Sequence, residues 1–210
     1  MAWHIDCKTS KLPMSRAEVD VTAVLTFGDD EDIIGRACRR VADHLRSLGL
    51  HFEIVAVDAD SGDNSHSVLA LVRDDVPELR VIGAPSRDRG FAAGAAEARG
   101  KVVWLVDAPG AMSPLAPFTR AHRFVSRGQA DAVVVKGRFS VCYRAKCRPV
   151  IEALRGRGAA YHARLARKLR ARGLEVDVHE LGASRTASVA QRPWSRLLDV
   201  LSTARATWSS

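Results

Sequence analysis

The sequence lacks the long apolar runs that membrane-spanning helices need. Its best runs, Val102–Val106 and Ala132–Val135, fall far short of the roughly 18–20 residues of a spanning helix. The first residues contain no continuous apolar stretch of the signal-peptide type. We therefore expect a cytoplasmic protein, and the membrane role left open is peripheral binding at the inner membrane face.

Signatures of metal-binding and nucleic-acid-binding proteins are also missing. The 4 cysteines form no C-x-x-C pair, and no paired histidine motif accompanies them, so we expect reduced thiols rather than a zinc site. Aromatic residues make up only 6% of the chain, without a zinc finger or an RNA-recognition signature; nucleic acid is therefore not the expected partner. No G-x-G-x-x-G or G-x-x-x-x-G-K-[ST] motif follows a predicted strand, which argues against standard dinucleotide-binding and P-loop proteins.

What the sequence does contain is a charge imbalance between its halves. The 210 residues carry a net charge of +8, yet residues 1–110 hold 13 Lys+Arg against 18 Asp+Glu. Residues 111–210 hold 19 Lys+Arg against 6 Asp+Glu. With 47% hydrophobic residues the chain can bury one core, so we expect a single domain whose function uses an acidic side and a basic side.

Along the chain, segments with the apolar pattern of buried strands alternate with segments that have the apolar spacing of helices. This alternation predicts an α/β fold in which helices flank a mostly parallel, Rossmann-like sheet. The predicted strands are Val19–Phe27, Phe52–Val57, Leu79–Ile82, Val102–Val106 and Asp131–Val135. The predicted helices between them are Ile33–Leu48, Ser65–Val72, Gly90–Arg99 and Pro114–Arg127. After Arg138 the pattern weakens to helices at Ala145–Arg155 and Ala159–Arg172, a strand at Leu174–Leu181 and a last helix at Trp194–Trp208.

Charged residues follow the ends of four predicted strands, where ligands collect in an open α/β sheet. Each residue alone could be an ordinary turn or helix-cap residue, but together they predict one polar cleft. Gly90 and Gly94 could serve either ligand approach or close helix–sheet packing. The four segments are Phe27-Gly28-Asp29-Asp30, Asp58–Ser65, Arg87-Asp88-Arg89-Gly90 and Asp107-Ala108-Pro109-Gly110.

Five segments in this order resemble family 2 glycosyltransferases of the GT-A fold, closest in style to polyprenyl-phosphate sugar transferases. The segments are Val21–Asp32, Glu53–Ser65, Arg87–Gly100, Val102–Pro109 at the position of the family's D-x-D motif, and Ala130–Arg138. The resemblance implies an N-terminal extension (1–18), a nucleotide-sugar-binding core (19–138) and, in the same domain, an acceptor-side region with a C-terminal helix (139–210).

The resemblance also implies site residues for a nucleoside-diphosphate sugar donor. Asp107 would be the first acid of D-x-D, facing ribose and metal, and is the candidate catalytic residue. The second acid is replaced by Pro109, which leaves a Mg²⁺ or Mn²⁺ site at Asp107 incomplete. The remaining donor-binding candidates are Phe27, Asp30 and Asp58 around the nucleoside, Asp60 in the following turn, where the family usually has Gly, and Arg89 near the phosphates.

The basic half predicts the acceptor side. A phosphate monoester is largely ionised at pH 7, so a phosphate acceptor needs positive charge rather than a strong general base. Lys136, Arg138 and Arg144 follow the fifth predicted strand and are our candidates to hold it. A basic helix at Tyr161–Arg172 also suits an anionic membrane surface or a polyprenyl phosphate.

Three function hypotheses therefore remain open. The first is a transferase that moves a sugar from a nucleoside diphosphate to a phosphate or hydroxyl acceptor. The second is a catalytically impaired homologue that serves as a nucleotide-binding or partner subunit, and Pro109 separates it from the first. The third is a basic module that binds a membrane surface or nucleic acid.

Overall fold

A computed structural model describes residues 18–179 of the chain. The strands are β1 (Val21–Phe27), β2 (Phe52–Asp58), β3 (Leu79–Gly83), β4 (Val102–Asp107), β5 (Ala132–Val135), β6 (Phe139–Tyr143) and β7 (Val176–His179). The helices are α1 (Glu31–Ser47), α2 (Ser65–Asp75), α3 (Gly90–Glu97), α4 (Ala108–Ala111), α5 (Ala116–Ser126), α6 (Arg144–Ala153) and α7 (Gly158–Ala171). The helix predicted at Trp194–Trp208 lies outside the described residues.

The seven strands form one sheet in the order β3-β2-β1-β4-β6-β5-β7. Every pairing is parallel except the two that β6 makes with β4 and β5. The predicted α/β fold with a mostly parallel sheet is confirmed. The central strands β1, β2 and β4 are mostly apolar and almost wholly buried, since helices cover both faces of the sheet.

Strand β6 was not predicted, and it changes where the basic residues lie. The turn at 136–138 reverses the chain, with Gly137 at a φ of 73°, and β6 then runs antiparallel between β4 and β5. Phe139 pairs with Val106 near the carboxyl end of β4, and Tyr143 pairs with Val102 at its start. Residues after β6 are therefore at the opposite edge of the sheet from residues before it.

Alternate residues of each strand enter two separate core layers. On one face the side chains pack with α1, α4 and α5, where the rings of Trp104 and Phe118 stack at 4.1 Å. On the other face they pack with α3, α6 and α7, where Phe91 lies 4.6 Å from the ring of Tyr161. This period of two is why strand β1 can contribute to both layers.

Helix α3 and the turn after it lie unusually close to β1. A Cβ at Gly94 would clash with the side chain of Val24, so no larger residue fits there without displacement. The helix–sheet packing explains Gly94, whereas Gly90 also lines a cleft described below. The contacts follow every second residue of the strand: Gly100 at Thr22, Gly94 at Val24 and Gly90 at Thr26.

A buried carboxylate, that of Glu53, connects β1, β2 and β3 near the beginning of each strand. Glu53 accepts hydrogen bonds from Thr22 Oγ1 at 2.8 Å and from the Arg99 amide at 2.7 Å through Oε1. Its Oε2 accepts from Arg80 at 3.1 Å. Because Thr22 Oγ1 in turn accepts from the Gly100 amide at 2.8 Å, strands β1 to β3 and the turn after α3 share one network.

His162 of α7 is fully buried on the face of the sheet that packs with α3, α6 and α7. Its Nδ1 lies 2.8 Å from Ser140 Oγ, and its ring lies 5.4 Å from that of Phe91. Burial lowers the pKa of His162 to about 4, because the charged imidazolium is poorly solvated there.

We predict that Gly94→Ala destabilises the fold by about 1–3 kcal/mol through overpacking against Val24, which outweighs the helix propensity gained. Urea denaturation measures the change in the free energy of unfolding. Ala96→Ser on the exposed side of the same helix is the control, with an expected change within about 0.5 kcal/mol. Unchanged stability of Gly94→Ala contradicts the close approach.

We also predict that acid weakens the fold through His162. The unfolded chain takes up a proton at this residue below about pH 6.5, whereas the folded chain resists protonation until about pH 4. The free energy of unfolding should therefore fall as the pH drops through this window. Urea denaturation at several pH values should show a smaller fall for His162→Gln than for the wild type, and no such difference for exposed His51→Gln.

Candidate functional site

A cleft of about 230 Å³ opens at the carboxyl ends of β1 and β4. Its walls come from four further segments: the loop after β2, the loop before α3, the start of α3, and the loop between α6 and α7. Of the residues that the resemblance placed at the donor site, Phe27, Asp30 and Asp107 line it, together with Pro109. The predicted polar cleft therefore exists, with a partly different set of residues around it.

Asp107 ends β4 and begins the single turn of α4. Its Oδ1 accepts a hydrogen bond from the Gly110 amide at 2.8 Å, as a helix N-cap does. Pro109 lies in that first turn, where a residue without an N–H is tolerated. Burial and the charge of nearby Asp30 raise the pKa of Asp107, although the Gly110 hydrogen bond acts in the opposite direction.

The acidic loops after β1 and β2 bind each other through carboxylates and backbone amides. Asp29 Oδ1 accepts from the Gly62 amide at 2.7 Å, and Glu31 Oε2 accepts from the Asn64 amide at 2.9 Å. In return, Asp63 Oδ2 accepts from the Glu31 amide at 2.8 Å. Three carboxylates of the acidic first half therefore hold these two loops together.

Asp58 and Asp60, predicted to meet the nucleoside, do not line this cleft. Asp58 Oδ1 accepts from the Ser61 amide at 2.8 Å, and its Oδ2 lies 2.6 Å from His66 Nε2. Partial burial disfavours the Asp58 carboxylate, but these hydrogen bonds outweigh it and lower its pKa. Asp60 is exposed at a φ of 68°, and Ala59 between the two reaches the cleft instead.

Two arginines line the cleft, and neither is Arg89, the one that the resemblance implied. Arg89 is the N-cap residue of α3 and does not line the cleft. Arg87 lines the cleft, and so does Arg157, which was not among the predicted site residues. The available signal in the sequence was the Gly156-Arg157-Gly158 run, because glycines on both sides of a residue favour a tight loop. Both glycines do have positive φ in the structure.

The three predicted acceptor-side cations are separated by β6. Lys136 and Arg138 lie in the β5–β6 turn. This turn packs against the segment after β4, where a Cβ at Gly110 would lie 3.0 Å from the Arg138 carbonyl oxygen. Arg138 Nη2 donates to the Pro114 carbonyl at 3.3 Å. Arg144 is at the opposite edge, where its Nε donates to the Gly100 carbonyl at 2.7 Å. The placement of Arg144 with the other two was wrong, because it assumed that the chain does not turn back after β5.

The candidate acceptor side also borders a second cavity of about 360 Å³. Lys136 and Arg170 line it together with small apolar residues of β5, β7 and α7. The exposed face of α7 is basic, with Arg164, Arg167 and Lys168. Among residues 18–179, no helix is long and apolar enough to cross a membrane.

Many solved structures are similar to this chain in fold, and two of them illustrate the likeness. A mannosyltransferase from Pyrobaculum calidifontis, in complex with GDP-Man and Mn²⁺, is 15% identical with a TM-score of 0.61, over 95% of this chain and 69% of that one. Mannosyl-3-phosphoglycerate synthase from Rubrobacter xylanophilus is 16% identical with a TM-score of 0.58, over 90% of this chain and 72% of that one. At these identities the likeness shows a shared fold. No curated protein sequence matches the chain significantly.

The sequence itself matches the family model described as glycosyl transferase family 2 over residues 22–183. That range includes β1 from Thr22 onward, all of β2 to β7 and every residue that lines the cleft. The chain therefore belongs to glycosyl transferase family 2.

Proposed function

We propose that this protein transfers a sugar from a nucleoside-diphosphate donor, bound in the cleft, to a phosphate or hydroxyl acceptor. The observation that carries the proposal is the meeting of Asp30 and Asp107 with Arg87 and Arg157 around one cavity at the carboxyl ends of β1 and β4. Such a cleft offers acceptors for ribose or sugar hydroxyls beside donors for a diphosphate. Family membership and the GDP-Man complex of one structural neighbour support the same donor class.

Asp107 is the candidate catalytic residue. Its Oδ1 is held by the Gly110 amide, which fixes the carboxylate at the cleft wall and leaves Oδ2 to accept a hydrogen bond from a donor hydroxyl. In the reaction, an acceptor oxygen bonds to the anomeric carbon while the bond from that carbon to the diphosphate oxygen breaks. Hydrogen bonds donated by Arg87 and Arg157 would strengthen as negative charge develops on the leaving diphosphate and would accelerate this step, while Asp107 would hold the donor in position.

Lys136 and Arg138 are our candidates for the acceptor side. Both lie in the turn that contacts the Asp107–Gly110 segment, so an acceptor held there would be near the donor. An ionised phosphate acceptor needs no general base, which fits a cleft edge rich in cations. The basic exposed face of α7 makes a polyprenyl phosphate in an anionic membrane our preferred acceptor to test.

Pro109 favours a second candidate function. It removes one acid of the family's D-x-D pattern, so the chain could bind donor nucleotide without transferring sugar, as a partner subunit. Binding and transfer must therefore be measured separately.

We predict that at least one UDP- or GDP-sugar stabilises the purified protein. At a ligand concentration of about 100 times Kd, the melting temperature should rise by about 5–10 °C. A thermal-shift panel with and without Mn²⁺ measures this, and the free sugars are the control. If no nucleotide sugar shifts the transition under either condition, the donor-binding proposal is wrong and the basic binding module becomes the leading alternative.

We predict that Asp107→Asn reduces sugar transfer about 100-fold or more while keeping the fold. Asn remains a good N-cap residue, so the melting temperature should change little. Radiolabelled sugar transfer to a polyprenyl phosphate or a simple hydroxyl acceptor measures the rate, and exposed Asp74→Asn should transfer normally. Full activity of Asp107→Asn would rule out its catalytic role, and wild-type protein that binds donor but transfers to neither acceptor would establish the impaired homologue.

A further inference from the structure

The side chains that line the cleft offer few free carboxylate oxygens to a cation that bridges a diphosphate. Such an ion is held by one or two protein carboxylates together with phosphate oxygens, and the second motif acid here is Pro109. Asp107 already uses Oδ1 for the Gly110 amide, and Asp30 uses Oδ2 for the Gly28 amide at 2.9 Å. Across residues 18–179, no group of three His, Cys, Asp or Glu side chains could hold a metal ion.

Arg157 lies in a loop that is anchored without using its own guanidinium. The Gly156 amide donates to the Asp88 carbonyl at 2.7 Å, and Arg155 pairs with the Asp88 carboxylate at 3.8 Å. Arg157 itself is exposed, lines the cleft and has no hydrogen bond or ion pair with any residue of the described 18–179 segment. A cation held at a cavity wall without a partner is available to an anionic ligand.

Arg87 lies on another wall and is oriented by the acidic loops. Its Nη2 donates to the Asp60 carbonyl at 2.9 Å and lies 3.6 Å from the Asp29 carboxylate. The side chain remains 49% exposed, so these contacts leave part of the guanidinium free. The acidic residues therefore position a cation at the cleft, in addition to binding each other.

The backbone adds positive potential to the same place. Helices α3 and α7 begin at Gly90 and Gly158, both glycines line the cleft, and neither helix has a side-chain cap at its N-terminus. The first amides of a helix carry partial positive charge. These amides add to the positive potential of Arg87 and Arg157, which are the principal positive groups of the cleft.

We propose that Arg87 and Arg157 hold the diphosphate of the donor in place of a divalent cation, so that nucleotide binding does not require metal. This inference rests on the proposed function. Arg157 can donate two parallel hydrogen bonds to phosphate oxygens of a nucleoside-diphosphate sugar. Arg87 can add the donors of Nη1, which its contacts with Asp60 and Asp29 leave free.

Titration calorimetry with UDP and GDP, in EDTA and then in Mn²⁺, tests the metal independence. We expect the better ligand to bind in EDTA with a Kd within roughly twofold of its Kd in Mn²⁺. Binding that appears only with Mn²⁺ overturns this inference and leaves the proposed function intact. Absence of binding by either nucleotide under both conditions overturns the proposed function, and this inference with it.

Substitution of Arg157 tests the assignment of the arginine. Arg157→Gln should weaken diphosphate binding in EDTA about 10- to 100-fold, and Arg87→Gln should act in the same direction. Arg73→Gln is the matched control, because Arg73 is exposed on α2 and does not line the cleft. Its Kd should stay within roughly twofold of wild type.

The monophosphate of the same base separates phosphate contact from a general structural effect. Wild-type protein should prefer the diphosphate, and Arg157→Gln should lose most of this preference. If the variant weakens the monophosphate and the diphosphate equally, or binds both as wild type does, Arg157 does not hold the diphosphate. Near- and far-UV circular dichroism of each variant should match the wild-type spectra.

Discussion

The close packing of α3 on β1 is the constraint on which the cleft depends. Gly94 allows the helix to approach Val24, and that approach places the beginning of α3 at the carboxyl end of β1. Phe91, one residue into the helix, then contacts Tyr161 near the beginning of α7. The loop that carries Arg157 directly precedes α7, so two walls of the cleft take their positions from one helix–strand contact.

The opposite charges of the two halves of the chain have separate structural uses. Carboxylates of the first half, such as Asp29 and Asp63, accept backbone amides and connect the loops after β1 and β2. Asp29 and Asp60 also orient Arg87. The acidic half thus supplies a framework around a cation, whereas the second half contributes Arg157 to the donor side and Arg138 to the candidate acceptor side.

Most helices and strands could be predicted because their apolar residues recur with periods that only one kind of element satisfies. β6 could not, since its five residues include Ser140, a polar side chain that is buried because His162 pairs with it. That single strand decided the side of the sheet on which Arg144 lies. Asp107 and Asp30 could be placed from strand ends alone, but the direction of the Asp58 carboxylate depends on His66, eight residues later.

Pro109 has a structural consequence beyond the loss of an acid. With it, the segment after β4 forms the short turn of α4, whose Gly110 amide binds Asp107. A Cβ at Gly110 would lie 2.6 Å from Asp107 Oδ1 and 3.0 Å from the Arg138 carbonyl oxygen, so a side chain does not fit there without displacement. Asp107 and the β5–β6 turn are therefore packed against each other through one glycine. A displacement of either segment would disturb the other, so backbone packing sets the distance between Asp107 at the cleft and the turn that carries Lys136 and Arg138.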